Sequence, residues 1–444
     1  MRVLLDLCKG VFGVGRDHLP LLVFEPSDWV QSMTDAQPRA SRDVRLQCFM
    51  NRTPVTEAIE WIDRHAIRCA WEQVSLDRAA GRILAAPFVS GVDMPPAAIA
   101  VTNGYALRSA DTVGAGSYNP LPFRLQEGHG TLEPFSAALV SSGDRLPAGA
   151  DAVAQFDVAR AEAEAIELIG TVTRNDGVSL QGQEAKAGTP LIDGVSSLRP
   201  ADLGLLAALG LASVPVVRPP QVRLILAGSK PSQEGERGDA NGPMLRALIV
   251  RDGGAIETCA TGGCEQGELA ESIARPGADV VLVCGRTGTG QDDVAPLALQ
   301  EAGALDIHGI ALRPGESTGM GSAGGIPVIL LPGSPLHCLC AYDLFAGRLI
   351  RQLGGRESRL PYRTRLAQVG RKIVSRIGDV ELCWVRLAGG EALPLGSAGS
   401  GGLVSAVRAD GFVVVPAALE GYASGTSVAV CMYGETGEME GMCL

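Results

Sequence analysis

Three apolar runs, Val222–Ala227, Ala278–Cys284 and Ile326–Leu331, each stop at a glycine or proline and are separated by segments of helical pattern. Strands that are apolar throughout must be covered on both faces, and parallel sheets flanked by helices do this. Helices are expected near Pro243–Arg251, Glu268–Arg275, Asp292–Ala302 and Pro335–Leu353. Residues 219–355 therefore read as an α/β domain with a mainly parallel sheet.

The rest of the chain divides around that domain. Val55, Ala58, Ile59 and Ile62 recur at helical spacing after Pro54, with Thr56 as a start residue, and a second short helix is expected over Ser75–Arg82 with Asp77 near its start. Residues 91–177 carry short β-type runs such as Ala137–Ser141 and Ala152–Ala159, so they read as a small β-rich domain. Pro200–Leu209 is helical again and Pro219-Pro220 marks a linker; 51–90 and 178–218 form one helical linker domain. After Gly354-Gly355 the runs Leu382–Leu387, Gly411–Val415 and Ser427–Tyr433 predict a β-barrel-like C-terminal domain, residues 356–444. Residues 1–50 match no pattern: either they are a loosely ordered extension, or translation starts at Met33 or Met50. The expected class is α/β plus β, multidomain, with 444 residues sufficient for several cores.

Composition removes several functions. The formal net charge is -11 with no block of Lys or Arg, so no nucleic acid partner is expected. The 11 cysteines form no Cys-x-x-Cys pair; Cys338 and Cys340, and Cys259 and Cys264, lack zinc spacing, and reduced thiols in a cytoplasmic protein are expected. Asp6 and Lys9 break the N-terminal apolar run, and no uncharged stretch is long enough for a membrane span.

Two loops carry candidate chemistry. Gly285-Arg286-Thr287-Gly288-Thr289-Gly290 follows an apolar strand and precedes a helix, where glycines permit close backbone approach and unpaired N–H groups attract phosphate. A tight strand-to-helix turn, with Asp292 and Asp293 as dipole-stabilising carboxylates, accounts for the same residues. Pro332-Gly333-Ser334-Pro335 follows the next strand, with Ser334 as an N-cap and Pro335 at the first helical position, or as a second wall of one crevice. Arg313-Pro314-Gly315-Glu316 offers a further loop with Arg313 as an anion donor.

Taken with three other segments, these loops carry a resemblance. Asp93-Met94-Pro95-Pro96-Ala97-Ala98-Ile99-Ala100-Val101-Thr102-Asn103-Gly104-Tyr105-Ala106, then Ser142-Gly143-Asp144-Arg145-Leu146-Pro147-Ala148-Gly149-Ala150-Asp151-Ala152-Val153, Arg199–Gly210 and Asp239-Ala240-Asn241-Gly242 stand in the order found in one family. From about Pro54 to Val430 the chain resembles the molybdopterin molybdenumtransferases of the MoeA and gephyrin E-domain type. The resemblance implies an elongated homodimer of four-domain subunits. It also implies binding of adenylylated molybdopterin and molybdate, Mg²⁺-assisted phosphoanhydride cleavage with release of AMP, and molybdenum insertion into the dithiolene. A molybdoenzyme that accepts the finished molybdenum cofactor would be a further partner.

The departures fall on polar site positions. Asn103 stands where the family has a catalytic Asp, Ser229-Lys230 where it has Asp-Glu, Glu316 where a Lys is usual, Val380 and Trp384 at Arg positions, and Arg286 at a glycine. Asp293, Arg313 and Ser400 remain in register, with Asp293 and Ser229 the metal candidates; Asp144, where the family has a small residue, and Asp292 are the candidates to substitute for the lost acids. Two readings follow: a divergent molybdenumtransferase, or a noncatalytic paralogue that binds or delivers molybdopterin or the cofactor.

Overall fold

Side chains alternate across a strand, so a strand that is apolar at every position feeds two cores at once. Val222, Leu224 and Leu226 enter one cluster with Val280, Leu282, Ile329 and Leu331. Ile225, Ala227, Val281, Val283, Val328 and Leu330 enter a second on the opposite face. The computed structural model describes residues 45, 48–49, 51–127, 130–162, 165–194, 196–228, 239–262, 265–396 and 402–434. Of the site candidates, Ser229, Lys230 and Ser400 lie outside the described residues.

The central sheet has the order Ala255–Gly262, Gln221–Ala227, Val280–Cys284, Ile326–Leu331, Gly319–Ala323, Ala304–His308. Its first four strands are parallel, and the last two pair antiparallel. The chain leaves Gln221–Ala227 for one side of the sheet and returns to Val280–Cys284 on the other. A crevice opens at such a reversal, beyond the carboxyl ends of the two strands. Helices Asn241–Arg251, Gln266–Ala274 and Ala295–Ala302 fall close to the expected ranges. The expected helix Pro335–Leu353 is interrupted: Pro335–Ala341 and Gly347–Leu353 flank a π-turn over Tyr342–Ala346.

A buried ionic cluster adjoins that turn. Asp252 accepts hydrogen bonds from Arg251 Nη2 and Arg351 Nη1, each 2.8 Å, and Asp343 accepts from Arg251 Nη2 at 2.8 Å and from the Tyr362 hydroxyl at 2.9 Å. Burial pushes the Asp343 carboxyl up, against the pull of Arg251.

The helix expected over Ser75–Arg82 is a single 3₁₀ turn, Leu76–Arg78. Trp71–Ser75 before it is instead a strand, paired antiparallel with Ser213–Val217. That non-local pairing outweighs the local helical pattern. The first helix, Val55–His65, starts after Pro54 rather than from a Thr56 cap, and Trp61 Nε1 donates to Asp306 Oδ2 at 2.8 Å.

Arg218 clamps the linker to the sheet, donating through Nη2 to Asp279 Oδ1 at 2.6 Å while Gln221 N donates to Asp279 Oδ2 at 2.7 Å. Burial raises the Asp279 pKa, but these bonds outweigh it and hold the carboxyl below its ordinary value. With the folded pKa below the unfolded one, the stabilisation is present above about pH 4 and is lost as pH falls through the depressed value. Unfolding midpoints measured on acidification should therefore converge for the wild type and Asp279→Asn. Curves that stay parallel would count against this linkage.

The C-terminal strands close into a ring. Val380–Ala388, Glu391–Pro394, Arg363–Val369, Ser427–Met432 and Gly411–Val415 pair in that order, and the last pairs back with the first. Leu312–Arg313, from the α/β domain, adds a parallel strand outside Val380–Glu381. Val380, Leu382 and Trp384 join the α/β core cluster, and Val385 and Cys383 face the barrel interior.

Residues Ala86–Gly194 form a separate contact unit. It is wider than the expected 91–177 because Phe88–Val89 pairs with Pro190–Ile192, and Ile99–Ala100 pairs with Val178–Ser179. Its main sheet has six strands, among them Gly104–Leu107 between Ser136–Val140 and Ala152–Ala154. No helix among the described residues is long and apolar enough to cross a membrane.

Candidate functional site

The glycine loop is built by contacts that leave no room for side chains. Gly285 has φ +97, and a Cβ there would lie 2.6 Å from the Ala227 carbonyl oxygen. A Cβ on Gly333 would lie 3.3 Å from Gly285 Cα, so the two loops touch through bare backbone. Gly285 N donates to Leu331 O at 2.9 Å, which ties the loop to the neighbouring strand end. The sequence-expected crevice residues Gly285 to Gly290 and Pro332 to Pro335 thus lie at the carboxyl ends of adjacent parallel strands.

Asp293 shapes this loop from below the helix start. Its Oδ2 accepts from Gly290 N at 2.6 Å, and a Cβ on Gly288 would lie 2.7 Å from the same oxygen. The helix begins only at Ala295, so this carboxylate serves the loop rather than the helix dipole. Arg286 adopts φ +59, with Nη1 3.2 Å from Asp292 O and 3.5 Å from Asp292 Oδ2. Thr287 turns inward: its side chain is buried, its hydroxyl meets Ser317 Oγ at 3.2 Å, and its carbonyl lies 2.9 Å from His308 Nε2. Thr289 is part of the loop's partly exposed rim.

The Pro332–Pro335 wall is braced by the start of the helix Asn241–Arg251. Asn241 Nδ2 donates to Gly333 O at 2.7 Å, and Asp239 Oδ1 accepts from Asn241 N and Gly242 N at 3.0 and 3.1 Å. Ser334 precedes Pro335 as expected, but its hydroxyl makes no capping bond. Behind the loops, Cys284 Sγ and Cys338 Sγ lie 3.7 Å apart. That contact, and then burial, push the Cys338 thiol well above its ordinary value, so it is a packing group and not a nucleophile. Cys69, Cys284, Cys338, Cys340, Cys383 and Cys431 are all thiols.

The Arg313–Glu316 loop points two ways. Arg313 lines a cavity at the barrel end. Glu316 Oε2 accepts from Gly315 N at 3.0 Å and lies 3.6 Å from His337 Nδ1. His337, His308 and Ser317 were not singled out in the sequence, because each meets the site through a partner distant along the chain. Val380 and Trp384 are buried in the core, and Trp384 Nε1 donates to the Tyr433 hydroxyl at 2.8 Å.

In the Ala86–Gly194 unit, Asn103 and Asp144 stand on neighbouring turns. Asn103 Oδ1 accepts from Ser142 N at 2.8 Å, and Asp144 Oδ2 accepts from Ser141 N at 2.8 Å. Both side chains are exposed. A carboxylate at 103 would accept the same bond, so the amide keeps the local geometry and removes the charge. Gly104 is indispensable to the strand pairing, since a Cβ would overlap the Ala154 carbonyl oxygen.

Among the described residues no group of three or more His, Cys, Asp or Glu side chains is placed to hold a metal. Mg²⁺ is commonly held by one or two carboxylates together with substrate phosphates and water. Asp293, with Oδ1 not engaged in the loop bond, and the exposed Asp292 fit that limited donor set.

Comparisons with known proteins extend along most of the described chain. Residues 53–210 match the MoeA N-terminal region (domains I and II), 223–352 a molybdopterin binding domain, and 367–433 the MoeA C-terminal region (domain IV). The chain is 26% identical over 407 residues to a molybdopterin molybdenumtransferase of Staphylococcus aureus, covering 86% of this chain and 96% of the relative. It is 29% identical over 314 residues to molybdopterin molybdenumtransferase 2 of Mycobacterium tuberculosis, covering 65% of this chain and 76% of the relative. A crystal structure of the molybdopterin biosynthesis MoeA protein from Pyrococcus horikosii superposes with TM-score 0.73 at 29% identity, covering 86% of this chain and all of that one.

Proposed function

This chain belongs to the MoeA-type molybdopterin molybdenumtransferase family of molybdenum cofactor biosynthesis, and we propose that it binds adenylylated molybdopterin at the crevice of Gly285–Gly290 and Pro332–Pro335. The close approach of Gly285 to Ala227 and Gly333 carries this reading, because it brings two loops together through bare backbone at the carboxyl ends of adjacent parallel strands. Gly285, Arg286, Gly288, Thr289 and Gly290 form one wall for the pterin phosphate, and Gly333 and Ser334 form the other. Arg313 supplies a cation for molybdate, and Asp293 with Asp292 would hold Mg²⁺. Mg²⁺ would neutralise phosphate oxygens as the phosphoanhydride breaks and AMP leaves. Asn103 and Asp144 are the groups of the Ala86–Gly194 unit that serve the reaction, and Ser400 and Ser229 are assigned to the site by register alone. The working form is a homodimer that hands its product to a molybdoenzyme.

Asn103 and Glu316 favour a second reading, a noncatalytic binding or delivery protein. Asn103 cannot take a proton or neutralise a divalent ion, and Glu316 reverses a charge that would attract molybdate. Loss of one preorganised charge typically costs ~3–4 kcal/mol, a factor of about 10² to 10³ in rate. Purified protein is expected to bind molybdopterin and to release AMP from the adenylylated form with molybdate and Mg²⁺ only slowly. Absence of molybdopterin binding would reject the site assignment, and rapid AMP release coupled to molybdenum insertion would reject the noncatalytic reading.

Asn103→Asp separates the two readings further. The Ser142 N–H bond survives the change, so stability should stay within about 0.5 kcal/mol. AMP release should rise by about 10² if the missing charge limits the rate. An unchanged rate would show that Asn103 is not the limiting departure.

A further inference from the structure

We propose that the mouth of the C-terminal barrel is a second binding site of this chain, for phosphate-bearing small molecules of the nucleotide class. A cavity of about 570 Å³ opens there, lined by Arg313, Arg371, Lys372, Arg376, Ser375 and Glu381 among others. Barrel mouths are recurrent ligand sites, and pockets for small organic ligands measure about 300 to 1,000 Å³, well above the needs of a bare tetrahedral ion.

The charges at this mouth are arranged for an anion. Arg371 Nη2 donates to Pro394 O at 2.8 Å. No ion pair of Arg313, Lys372 or Arg376 occurs among the described residues, whereas Arg218, Arg251, Arg348 and Arg351 are all matched to carboxylates. Four cations therefore converge on one cavity of an acidic protein with formal net charge -11. The single lining carboxylate, Glu381, is buried, and neither of its oxygens has a hydrogen-bond partner. The Ser375 hydroxyl is also buried without a partner. Unsatisfied buried polar groups cost free energy unless something else completes them, and here they lie behind a ring of unneutralised cations.

The cavity shares Arg313 with the proposed molybdate site, but none of its lining residues belongs to the glycine loop or to Pro332–Pro335. Arg313 pairs with Glu381 in the parallel register that joins the loop strand to the barrel. Along Val380–Ala388 the side chains alternate: Val380, Leu382 and Trp384 pack into the α/β core, while Cys383 and Val385 face the barrel interior. Glu381 shares the parity of the interior set, so its cavity opens on the opposite side of the strand from Trp384.

The shared chemistry is a phosphate-type oxyanion, and titration calorimetry on the full chain distinguishes its sources. AMP, inorganic phosphate and molybdate would be titrated into the wild type and into Lys372→Glu/Arg376→Glu. Both substituted side chains are exposed, so the fold should persist, as an unchanged unfolding midpoint would show. If the charge reversal unfolds the barrel, Lys372→Gln/Arg376→Gln tests the same point with neutral side chains. AMP is expected to bind the wild type more tightly than either inorganic ion. The charge reversal should weaken it about 10- to 100-fold, with a shallower salt dependence. AMP held only at the glycine loop would be indifferent to these two side chains. Equal AMP affinity in both proteins, no saturable binding at millimolar AMP, or phosphate binding as tightly as AMP would each overturn the proposal.

Discussion

Gly285→Ala is expected to lower the unfolding free energy by about 2–4 kcal/mol and to weaken molybdopterin binding at least about 10-fold. A positive φ costs a non-glycine residue roughly 1–2 kcal/mol by itself. The added methyl would also sit 2.6 Å from Ala227 O, inside van der Waals contact, and the strand end must move to admit it. That movement pushes the loop off Gly333 and reorients the N–H groups facing the ligand. Denaturant unfolding reads the first effect and a fluorescence titration with molybdopterin reads the second. A variant as stable and as tightly binding as the wild type would remove this loop from the site.

The second large effect is expected from Asp252→Asn, far from any ligand. Asp252 is 1% exposed and neutralises Arg251 and Arg351 at 2.8 Å each. Withdrawing one charge from a buried pair leaves the other uncompensated, which typically costs ~3–5 kcal/mol. Asp343→Asn should cost less, because burial already pushes the Asp343 carboxyl up toward its neutral form. A midpoint shift measured by chemical unfolding should therefore be larger for Asp252→Asn. The reverse order would mean that Asp343 carries the charge the cluster depends on.

How much the sequence revealed depended on how local each cause is. Val222–Ala227, Val280–Cys284 and Ile326–Leu331 stand out because burial on both faces leaves apolar residues at every position but that of the buried Arg223. The edge strand Ala255–Gly262 carries Glu257, Thr258 and Thr261, a mixed pattern that gave no such mark. Ser75–Arg82 departs from its helical pattern where Ser75 is taken into the pairing of Trp71–Ser75 with Ser213–Val217 and Leu76 N donates to Ala212 O, more than a hundred residues away. The helix Pro335–Leu353 is visible as a helix, but the π-turn over Tyr342–Ala346 leaves no mark in the apolar spacing.

The site followed the same rule. Glycines showed themselves, because a residue without a side chain between a strand and a helix has few other uses. Polar pairings did not: Glu316 with His337, and Thr287 with His308, join loops that sequence order keeps apart. Ser334 looked like a cap and makes no capping bond, since Pro335 and the backbone already define that helix start. Asn103 was visible as a missing charge, but only the geometry shows that its hydrogen bond to the 141–144 turn is retained.

The strand Leu312–Arg313, added to the outside of the barrel, bears on how this protein can be divided. Family matches end at residue 352 and resume at 367, as if two independent pieces met at a hinge. Yet Leu344, Phe345 and Leu349 share one core with Leu382, Trp384 and Phe412. A fragment cut at Gly354-Gly355 would uncover that apolar surface and leave a strand without its neighbour, an invitation to aggregate. Exchange of the last domain between relatives by recombination would need a matching Leu312–Arg313 segment to travel with it. Heredity counts four modules here, but thermodynamics binds the last two into one.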